Sequence, residues 1–300
     1  MQILVVDIGG TFIKYACMTA DMSIISRGKV KTPMSGREEL IETIGKVYDE
    51  MPEVEGIAIS MPGIIDSENG YCAMGGALRY NDDFYLRDCL YQRCPVKIVM
   101  ENDAKCAAMA EAAAGSLRDV EDGFVLIFGT MIGGGFIKNH CLYRGKHFSA
   151  GEVSYVNTKR DGMPTASNVW GNRCGTSALC KMYAEKKNLA SGTVDGLMVF
   201  DGVSRKEPEA LQCLQDFTRE IAVQLFNIQT ILDPERFAIG GGISAQPVFI
   251  EYIRRNLEEL YAECPYQVPH AEVVSCKFQN DANLVGALQC FLHEISEDAD

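Results

Sequence analysis

Two glycine-rich turns in the sequence could approach a phosphate group. Each carries a threonine hydroxyl, and the first also carries an aspartate carboxylate. They read DIGGT at residues 7–11 and GTMIGGG at residues 129–135. Glycine adds no side-chain bulk, so the N–H groups of such turns can approach phosphate oxygens closely. Turns of this composition also occur in hairpins that bind nothing. The candidate phosphate contacts are Gly9, Gly10 and Thr11 in the first turn and Gly129, Thr130, Gly133 and Gly134 in the second.

A third glycine group, residues 240–242, follows an apolar run and precedes a helical pattern. We expect it, with Gly241, to accommodate the adenosine part of a nucleotide. Asp7 ends the first apolar run, where its carboxylate could hold the water molecules around a Mg²⁺ ion. Lys14 lies in the same motif, but strand alternation leaves open whether it points toward a phosphate or away from it. Three such turns at strand ends indicate a nucleotide-binding site more strongly than any one of them alone.

The segment Glu101-Asn102-Asp103 places two acids and an amide between an apolar run and an alanine-rich helical pattern. Asparagine and aspartate at such a position cap helices, which requires no function beyond helix stability. The same side chains could bind sugar hydroxyls, and an aspartate could accept the proton of a hydroxyl that attacks a phosphate. The residues alone leave both interpretations open.

Alternating strands and helices must position these side chains. Apolar patterns predict strands at 2–6, 13–18, 24–30, 56–60, 96–100, 123–128, 135–138, 236–239 and 273–277. Helical patterns occupy 36–51, 105–115, 177–187, 208–232, 247–261 and 281–295. The module of strand, glycine-rich turn and strand occurs twice, which predicts two similar α/β lobes facing each other across a cleft. The predicted domains are 1–116, joined by the last helix at 281–296, and 117–280.

The composition is that of a globular protein and excludes several classes of function. The chain has 300 residues, of which 47% are hydrophobic and 23% charged. The net charge of -13 argues against nucleic-acid binding, and no apolar run approaches the length of a membrane span. The 12 cysteines contain no C-x-x-C pair, which predicts small buried side chains in a reducing compartment. We therefore expect a cytoplasmic protein with neither nucleic acid nor membrane as a partner.

Taken together, these segments resemble the ROK family of sugar kinases and sugar-responsive repressors. The matching segments are DIGGTFIKYA, SMPGIID, ENDAKCAA, GTMIGGG, HFSAGEVSY, FAIGGGIS and NDANLVGAL, whose order and spacing agree as well. The segment MGGALRYNDDFYL is most similar to the β-glucoside kinase branch, with the N-acetylmannosamine kinases next. The resemblance covers nearly the whole chain. It implies an actin-like ATPase (ribonuclease H-like) fold, with two α/β lobes around a central cleft.

The resemblance implies ATP-dependent phosphorylation of the 6-hydroxyl of a hexose or hexoside, such as glucose or cellobiose. It makes Asp103 the general base that deprotonates this hydroxyl. The residues implied to bind the sugar are Asn102, Glu152, Gly76 and Asn81. Those implied to hold ATP are Gly9, Gly10, Thr11, Thr130, Gly133 and Gly241, with Asp7 near Mg²⁺. The family also suggests a homodimer.

The chain departs from the family pattern at Ser154, where most members have a histidine that contacts both sugar and zinc. The cysteine-rich zinc loop that normally follows is replaced by residues 157–173, which contain no cysteine. Cys174 and Cys180 alone do not complete a four-ligand site, so we predict no structural zinc. Ser154 would line the substrate site and leave space there. That space could admit a β-linked aglycone or, alternatively, an N-acetyl group at the 2-position.

A second departure is Met131, where glycine is usual. Its side chain either points away from the phosphates or crowds ATP and weakens its binding. The second case, together with Ser154, leaves open a sugar-binding protein without catalytic activity. A sugar-responsive repressor is a further alternative, but such proteins carry a helix-turn-helix segment before the first glycine-rich turn. Here the first strand begins at residue 2, and the acidic charge opposes contact with DNA.

Overall fold

The computed structural model describes residues 1–51, 53–159, 162–190 and 192–297. Its strands are β1 Gln2–Ile8, β2 Phe12–Thr19, β3 Ile24–Lys31, β4 Gly56–Met61, β5 Ile64–Asp66, β6 Tyr71–Met74, β7 Phe84–Tyr85, β8 Lys97–Asn102, β9 Gly123–Phe128, β10 Ile132–Lys138, β11 Cys141–Leu142, β12 Arg236–Gly240 and β13 Glu272–Ser275. Its helices are α1 Arg37–Asp49, α2 Leu86–Arg93, α3 Asp103–Ala114, α4 Trp170–Cys174, α5 Thr176–Lys186, α6 Gly196–Ser204, α7 Pro208–Leu232, α8 Pro247–Glu263 and α9 Ala282–Glu297.

The sequence patterns predict the long elements, and the structure adds several short ones. β10 begins at Ile132 rather than at residue 135, because Ile132 already pairs with Phe128 in the β9–β10 hairpin. No pattern predicts β5, β6, β7, α2 or α6. These elements are two to nine residues long, which is too short for periodicity to be recognised.

The contacts between residues divide the chain into two compact units. Unit 1 comprises Met1–Ala114, Leu142–Ala150 and the C-terminal segment from Asn280, and unit 2 comprises Gly115–Cys141 and Gly151–Gln279. Residues 142–150 thus belong to unit 1, whereas the division predicted from the sequence places them in the second lobe. One contact of this segment with unit 1 is the ion pair between Arg144 and Glu101, at the end of β8.

Unit 1 is built on a five-stranded sheet with the order β3–β2–β1–β4–β8. β2 is antiparallel to β1 and β3, whereas β1, β4 and β8 run parallel to one another. Every residue of β4 is buried, as expected for a central strand covered on both faces. The helices α3 and α9 approach closely at Gly286. A β-carbon there would lie only 1.7 Å from the carbonyl oxygen of Cys106, so this approach requires glycine. A small sheet of β5, β6 and β7 completes the unit.

Unit 2 repeats this arrangement with the strand order β11–β10–β9–β12–β13. An antiparallel hairpin, β9–β10, again stands beside parallel strands, here β12 and β13. The core between this sheet and its helices is aromatic, with the rings of Phe128 and Phe249 edge to face at 5.6 Å. The common strand order confirms that the repeated module belongs to two α/β units of similar construction.

The cysteines are free thiols, and most of them are buried. Burial raises the pKa of Cys72 to about 12, so this thiol stays protonated and behaves as a small apolar group. The prediction of small buried side chains is confirmed for most of the set. Among the helices that the structure describes, none combines the length and the apolar character needed to cross a membrane.

Candidate active site

Four side chains form a row across the sheet of unit 1, near the carboxyl ends of its parallel strands. Lys14, Asp7, Ser60 and Glu101 stand directly opposite one another on β2, β1, β4 and β8. Asp7 is buried, and its Oδ1 accepts hydrogen bonds from Ser60 Oγ at 3.2 Å and Asn283 Nδ2 at 2.9 Å. Lys14 Nζ lies 3.8 Å from Asp7 Oδ2. Lys14 therefore points to the Asp7 face of the sheet, which the sequence had left open.

The turn between β1 and β2 contains the first predicted phosphate contacts. The Gly9 N–H donates to the Phe12 carbonyl at 3.1 Å, and the Gly9 carbonyl accepts from Thr32 Oγ1 at 2.6 Å. Gly10 and Thr11 are exposed at the tip of the turn. The Thr11 carbonyl also accepts the Thr32 N–H at 3.0 Å. The hairpin is therefore anchored through backbone groups of Gly9 and Thr11, while Gly10 and the Thr11 side chain are accessible to a ligand.

Asn102 and Asp103 stand at the junction of β8 and α3 and differ in their contacts. Asn102 Oδ1 accepts the N–H groups of Ala104 at 2.9 Å and Lys105 at 3.1 Å, as an N-cap does. Its Nδ2 donates to the carbonyl of Gly63 at 2.9 Å. Asp103 is half-buried at the first position of α3, where the helix dipole favours a carboxylate. Asp103 Oδ1 also accepts the Ala104 N–H, at 2.8 Å. Both side chains therefore take part in capping α3, and Asn102 is the N-cap residue.

Gly76 and Asn81 lie near the turn that Asn102 contacts. A β-carbon at Gly76 would be 2.9 Å from Pro62 Cβ and 3.0 Å from the Gly63 nitrogen, so two turns pack here backbone to backbone. Asn81 is fully buried, and neither Oδ1 nor Nδ2 has a hydrogen-bond partner among the described residues. Buried amides without partners are rare in folded proteins. Asn81 is therefore a candidate for contact with a polar ligand.

The second glycine-rich turn, between β9 and β10 in unit 2, is fastened to the start of α5. The Thr176 N–H donates to the Gly129 carbonyl at 2.8 Å. A β-carbon at Gly175 would lie 2.2 Å from the Thr130 carbonyl oxygen, so the two backbones are in close contact. Thr130 is exposed at the turn, whereas Gly133 lies within β10.

Met131 of this turn packs against α4. A β-carbon at Gly171 would be 2.8 Å from Met131 Cε and 2.4 Å from Ser154 Oγ, so glycine leaves the space that both side chains occupy. The two positions where the chain departs from the family pattern therefore meet at a third residue, Gly171. The direction of Met131 favours the first of its two interpretations, and its effect on ATP stays a prediction.

Ser154 uses its hydroxyl group within the fold. Its Oγ donates to the Ile132 carbonyl at 2.5 Å and accepts from the Ile132 N–H at 3.2 Å. These bonds tie the short 3₁₀ turn at Val153–Tyr155 to the start of β10. The hydroxyl is therefore committed to the backbone, and a direct contact of Ser154 with substrate stays a prediction.

Glu152 precedes that turn, and two glycines determine the path of its backbone. Gly151 has a φ of 85°, a conformation that side-chain-bearing residues rarely adopt. A β-carbon on Gly134 would lie 2.4 Å from the Gly151 carbonyl, and one on Gly151 would lie 2.7 Å from the Gly134 carbonyl. The strand β10 and the Glu152 segment can therefore approach each other only because both positions lack a side chain.

Gly241 lies at the end of β12, where β9 also ends. Its φ is 93°, and a β-carbon there would be 2.2 Å from the carbonyl oxygen of Phe128. The glycine turns of unit 2 that were predicted to bind nucleotide thus follow two neighbouring strands.

Residues that the sequence did not single out support the site from unit 1. Arg144 Nε donates to Glu101 Oε2 at 2.6 Å, and Lys105 Nζ donates to the Phe148 carbonyl at 2.7 Å. Burial has the largest single effect on the pKa of Arg144 and would lower it. The charge of Glu101, its hydrogen bond and the neighbouring negative groups together outweigh burial, so the pKa is raised. No local pattern predicts these pairs, and a lysine inside the alanine-rich helix is the only hint in the sequence.

The arrangement of His, Cys, Asp and Glu side chains determines which metal ions the protein could hold. Within the part of the chain that the structure describes, no three His, Cys, Asp or Glu side chains are grouped as metal ligands. Residues 160 and 161 of the segment 157–173 lie outside the described residues. The absence of zinc stays a prediction. Asp7 fits a Mg²⁺ ion held through water, since Mg²⁺ in phosphate sites commonly uses only one or two carboxylates.

Two α/β units with the same strand order and with glycine turns at strand ends are the construction of the actin-like ATPase fold. Residues 3–294 match the ROK family, and the chain belongs to this family. The resemblance seen in the sequence motifs is therefore confirmed, and with it the fold class.

Relatives match the chain along nearly its whole length. A beta-glucoside kinase of Listeria innocua is 30% identical over 295 residues, covering 98% of each chain. A structure described as a candidate N-acetylmannosamine kinase of Listeria monocytogenes is 30% identical, with a TM-score of 0.89 over 98% of this chain and 100% of that chain. A ROK family protein of Streptococcus pneumoniae in complex with sucrose is 29% identical, with a TM-score of 0.90 over 99% and 100%. The prediction of an enzyme of the ROK sugar kinase type is confirmed by the family match and these relatives.

Proposed function

We propose that the chain is a sugar kinase that transfers a phosphoryl group from ATP to the 6-hydroxyl of a hexose or hexoside. The first candidate substrate is a β-glucoside such as cellobiose, followed by glucose. Membership of the ROK family and the similarity to a beta-glucoside kinase along 98% of the chain support this proposal. The observation that carries it is the place of Asp103 at the capped start of α3, beside the amide that holds the Gly63 turn.

In this mechanism Asp103 accepts the proton of the 6-hydroxyl as the hydroxyl oxygen attacks the terminal phosphorus of ATP. Asn102 orients the Asp103 carboxylate by capping α3, the helix that begins at Asp103. The helix dipole at this position favours the ionised carboxylate, which is the form that a base requires. Asn102 thus acts mainly through Asp103, and the second N–H of its Nδ2 would bind the sugar.

The sugar would bind through Gly76, Asn81 and Glu152. The buried amide of Asn81 would gain the hydrogen bonds that it lacks among the described residues. Because Ser154 uses its hydroxyl on Ile132, we propose that it affects substrate choice through its small size. The space beside it would admit the aglycone of a β-glucoside.

We propose that the nucleotide uses the glycine turns of both units. The residues concerned are Gly9, Gly10, Thr11, Thr130, Gly133 and Gly241. When bound, Mg²⁺ near Asp7 would supply neutralisation of phosphate charge. Lys14, whose Nζ lies 3.8 Å from Asp7 Oδ2, is a further candidate for phosphate contact. We also propose a cytoplasmic homodimer. The predicted domains 1–116, joined by 281–296, and 117–280 are proposed as well, with residues 142–150 attached to the first domain.

An N-acetylmannosamine kinase is the second candidate function. The structural relative described with that activity is 30% identical and has a TM-score of 0.89. The space beside Ser154 would then receive the N-acetyl group rather than an aglycone. The two candidates share the base and the nucleotide turns and differ only in the acceptor.

A coupled assay of ADP release with cellobiose, glucose and N-acetylmannosamine tests both candidates. Under the first proposal cellobiose gives a kcat/KM at least equal to that of glucose, and NMR of the product locates the phosphate on O6. Asp103→Asn should lower kcat at least about 10²-fold, the low end for removal of a general base. Asp88→Asn, an exposed acid of the same unit, is the control. Wild-type turnover in Asp103→Asn would rule out the assigned base, and no ADP release with any sugar would favour a non-catalytic protein.

A further inference from the structure

Two buried charged side chains attach the loop of residues 142–150 to the β8–α3 junction. Arg144 Nε donates to Glu101 Oε2 at 2.6 Å, and Lys105 Nζ donates to the Phe148 carbonyl at 2.7 Å. Glu101 is 1% exposed, and Lys105 is fully buried. A charge is stable in such a place only when it is paired, because its desolvation is strongly unfavourable. Both contacts are therefore integral to the fold.

These contacts act on the peptide units on either side of Asp103. Glu101 accepts the N–H of Asn102 through Oε1 at 2.8 Å, so one carboxylate binds both the loop and the backbone before the helix. Lys105 donates its own N–H to the capping oxygen of Asn102 at 3.1 Å. Movement of the loop would consequently disturb the cap and the first turn of α3.

The same loop leads along the chain directly into Gly151 and Glu152. The function proposed above uses neither Arg144 nor Lys105. An apolar residue would fill the buried position of Lys105 at lower desolvation cost, so its contribution to the fold does not by itself account for a lysine there.

We propose that Arg144 and Lys105 are positioning residues for phosphoryl transfer. They hold the β8–α3 junction so that the Asp103 carboxylate keeps the orientation in which it accepts the sugar proton. They act through Glu101 and the Phe148 carbonyl and do not contact the substrate. This inference rests on the proposed role of Asp103. Catalysis is sensitive to such positioning, because a displacement of about 1 Å can lower a rate about 10²-fold.

The test compares Arg144→Met with Arg144→Lys and Asp103→Asn in the full chain. Arg144→Met should lower kcat about 10- to 100-fold and leave the KM for ATP within about twofold. Arg144→Lys should recover part of kcat, since it keeps the charge but not the planar donor. Arg93→Met is the matched control, because Arg93 pairs with Glu42 at 3.0 Å and Asp49 at 3.1 Å in the same unit. It should leave kcat unchanged.

Arg144→Met leaves Glu101 buried without its partner and could prevent folding. The double variant Glu101→Leu/Arg144→Met removes both charges, and such replacements often retain stability. For this double variant, a wild-type melting temperature together with a kcat at least about tenfold below wild type supports the positioning role. A wild-type melting temperature together with a wild-type kcat overturns it. A kcat of Arg144→Met near wild type, with Asp103→Asn inactive, overturns only this inference. Full turnover in Asp103→Asn overturns the proposed function instead.

Discussion

The two segments that carry the proposed sugar-side carboxylates are held in contrasting ways. At the β8–α3 junction, Asp103 follows a buried glutamate paired with Arg144 and precedes a buried lysine. In the turn after residue 150, the backbone on either side of Glu152 is fixed by neutral contacts, namely the close approach of Gly134 to Gly151 and the bonds of Ser154.

This difference indicates which changes each segment tolerates. A junction held by buried charges should respond to removal of a charge, because the remaining partner is left unsatisfied. A turn held by backbone approach should respond to added volume and be indifferent to charge and salt. The experiments below test that contrast, beginning with the largest expected effect.

Gly134→Ala should have the largest effect on the neutral turn. Its methyl group would lie 2.4 Å from the Gly151 carbonyl oxygen, and backbone cannot move aside as a flexible side chain can. We expect a loss of about 1–3 kcal/mol in the free energy of unfolding, measured by urea denaturation, and a higher KM for the sugar. Gly196→Ala in α6 is the control, since its β-carbon would meet nothing closer than 3.6 Å. Equal stabilities of both variants would contradict the close approach.

Ser154→Ala should have a smaller effect on the same turn. The substitution removes the bond donated to the Ile132 carbonyl and the one accepted from its N–H. We expect a loss of about 1 kcal/mol in unfolding free energy, which salt does not change. Ser204→Ala, which removes one bond within an exposed turn of α6, is the comparison. A strong salt dependence of the Ser154 effect would break the contrast between the segments.

Met131→Gly should change ATP binding little. The side chain is 38% exposed and packs toward Gly171, so its removal should leave the KM for ATP within about threefold. A gain in ATP affinity well beyond this range would mean that the methionine crowds the phosphates. Crowding of the phosphates would change the KM for ATP alone. A turn made less rigid by the substitution would change the KM for ATP and the KM for the sugar together.

Asp82→Asn should change stability least of the four variants. Its effect on the melting temperature should depend on pH, because the substitution removes a charged group of unit 1. The N–H of Gly75 and then the side chain of Arg79 donate to Asp82 and lower its pKa. A lowered pKa means that the carboxylate stabilises the fold above about pH 4, the unfolded value, and that this contribution is lost as the pH falls through the lowered pKa. The difference in melting temperature from wild type should therefore shrink below pH 4. A constant difference from pH 7 to pH 3 would contradict it.

Local patterns in the sequence were sufficient for much of this protein. The apolar runs, the glycine turns and the Asn102-Asp103 pair are determined by neighbours along the chain, so periodicity and composition predict them. The motifs also led to the family, which the match over residues 3–294 confirms. Short elements such as β7 and α2 escaped because their two and eight residues are too few to establish a repeat.

Only the tertiary structure decided which partners these residues have. Arg144 and Glu101 are 43 positions apart, and Asp7 and Asn283 are 276 apart, so no window of sequence contains either pair. The direction of Lys14 and the commitment of the Ser154 hydroxyl depend likewise on strand register and on a distant backbone. A residue's type limits the bonds that it can make, but which bonds form depends on what folding brings within about 3 Å.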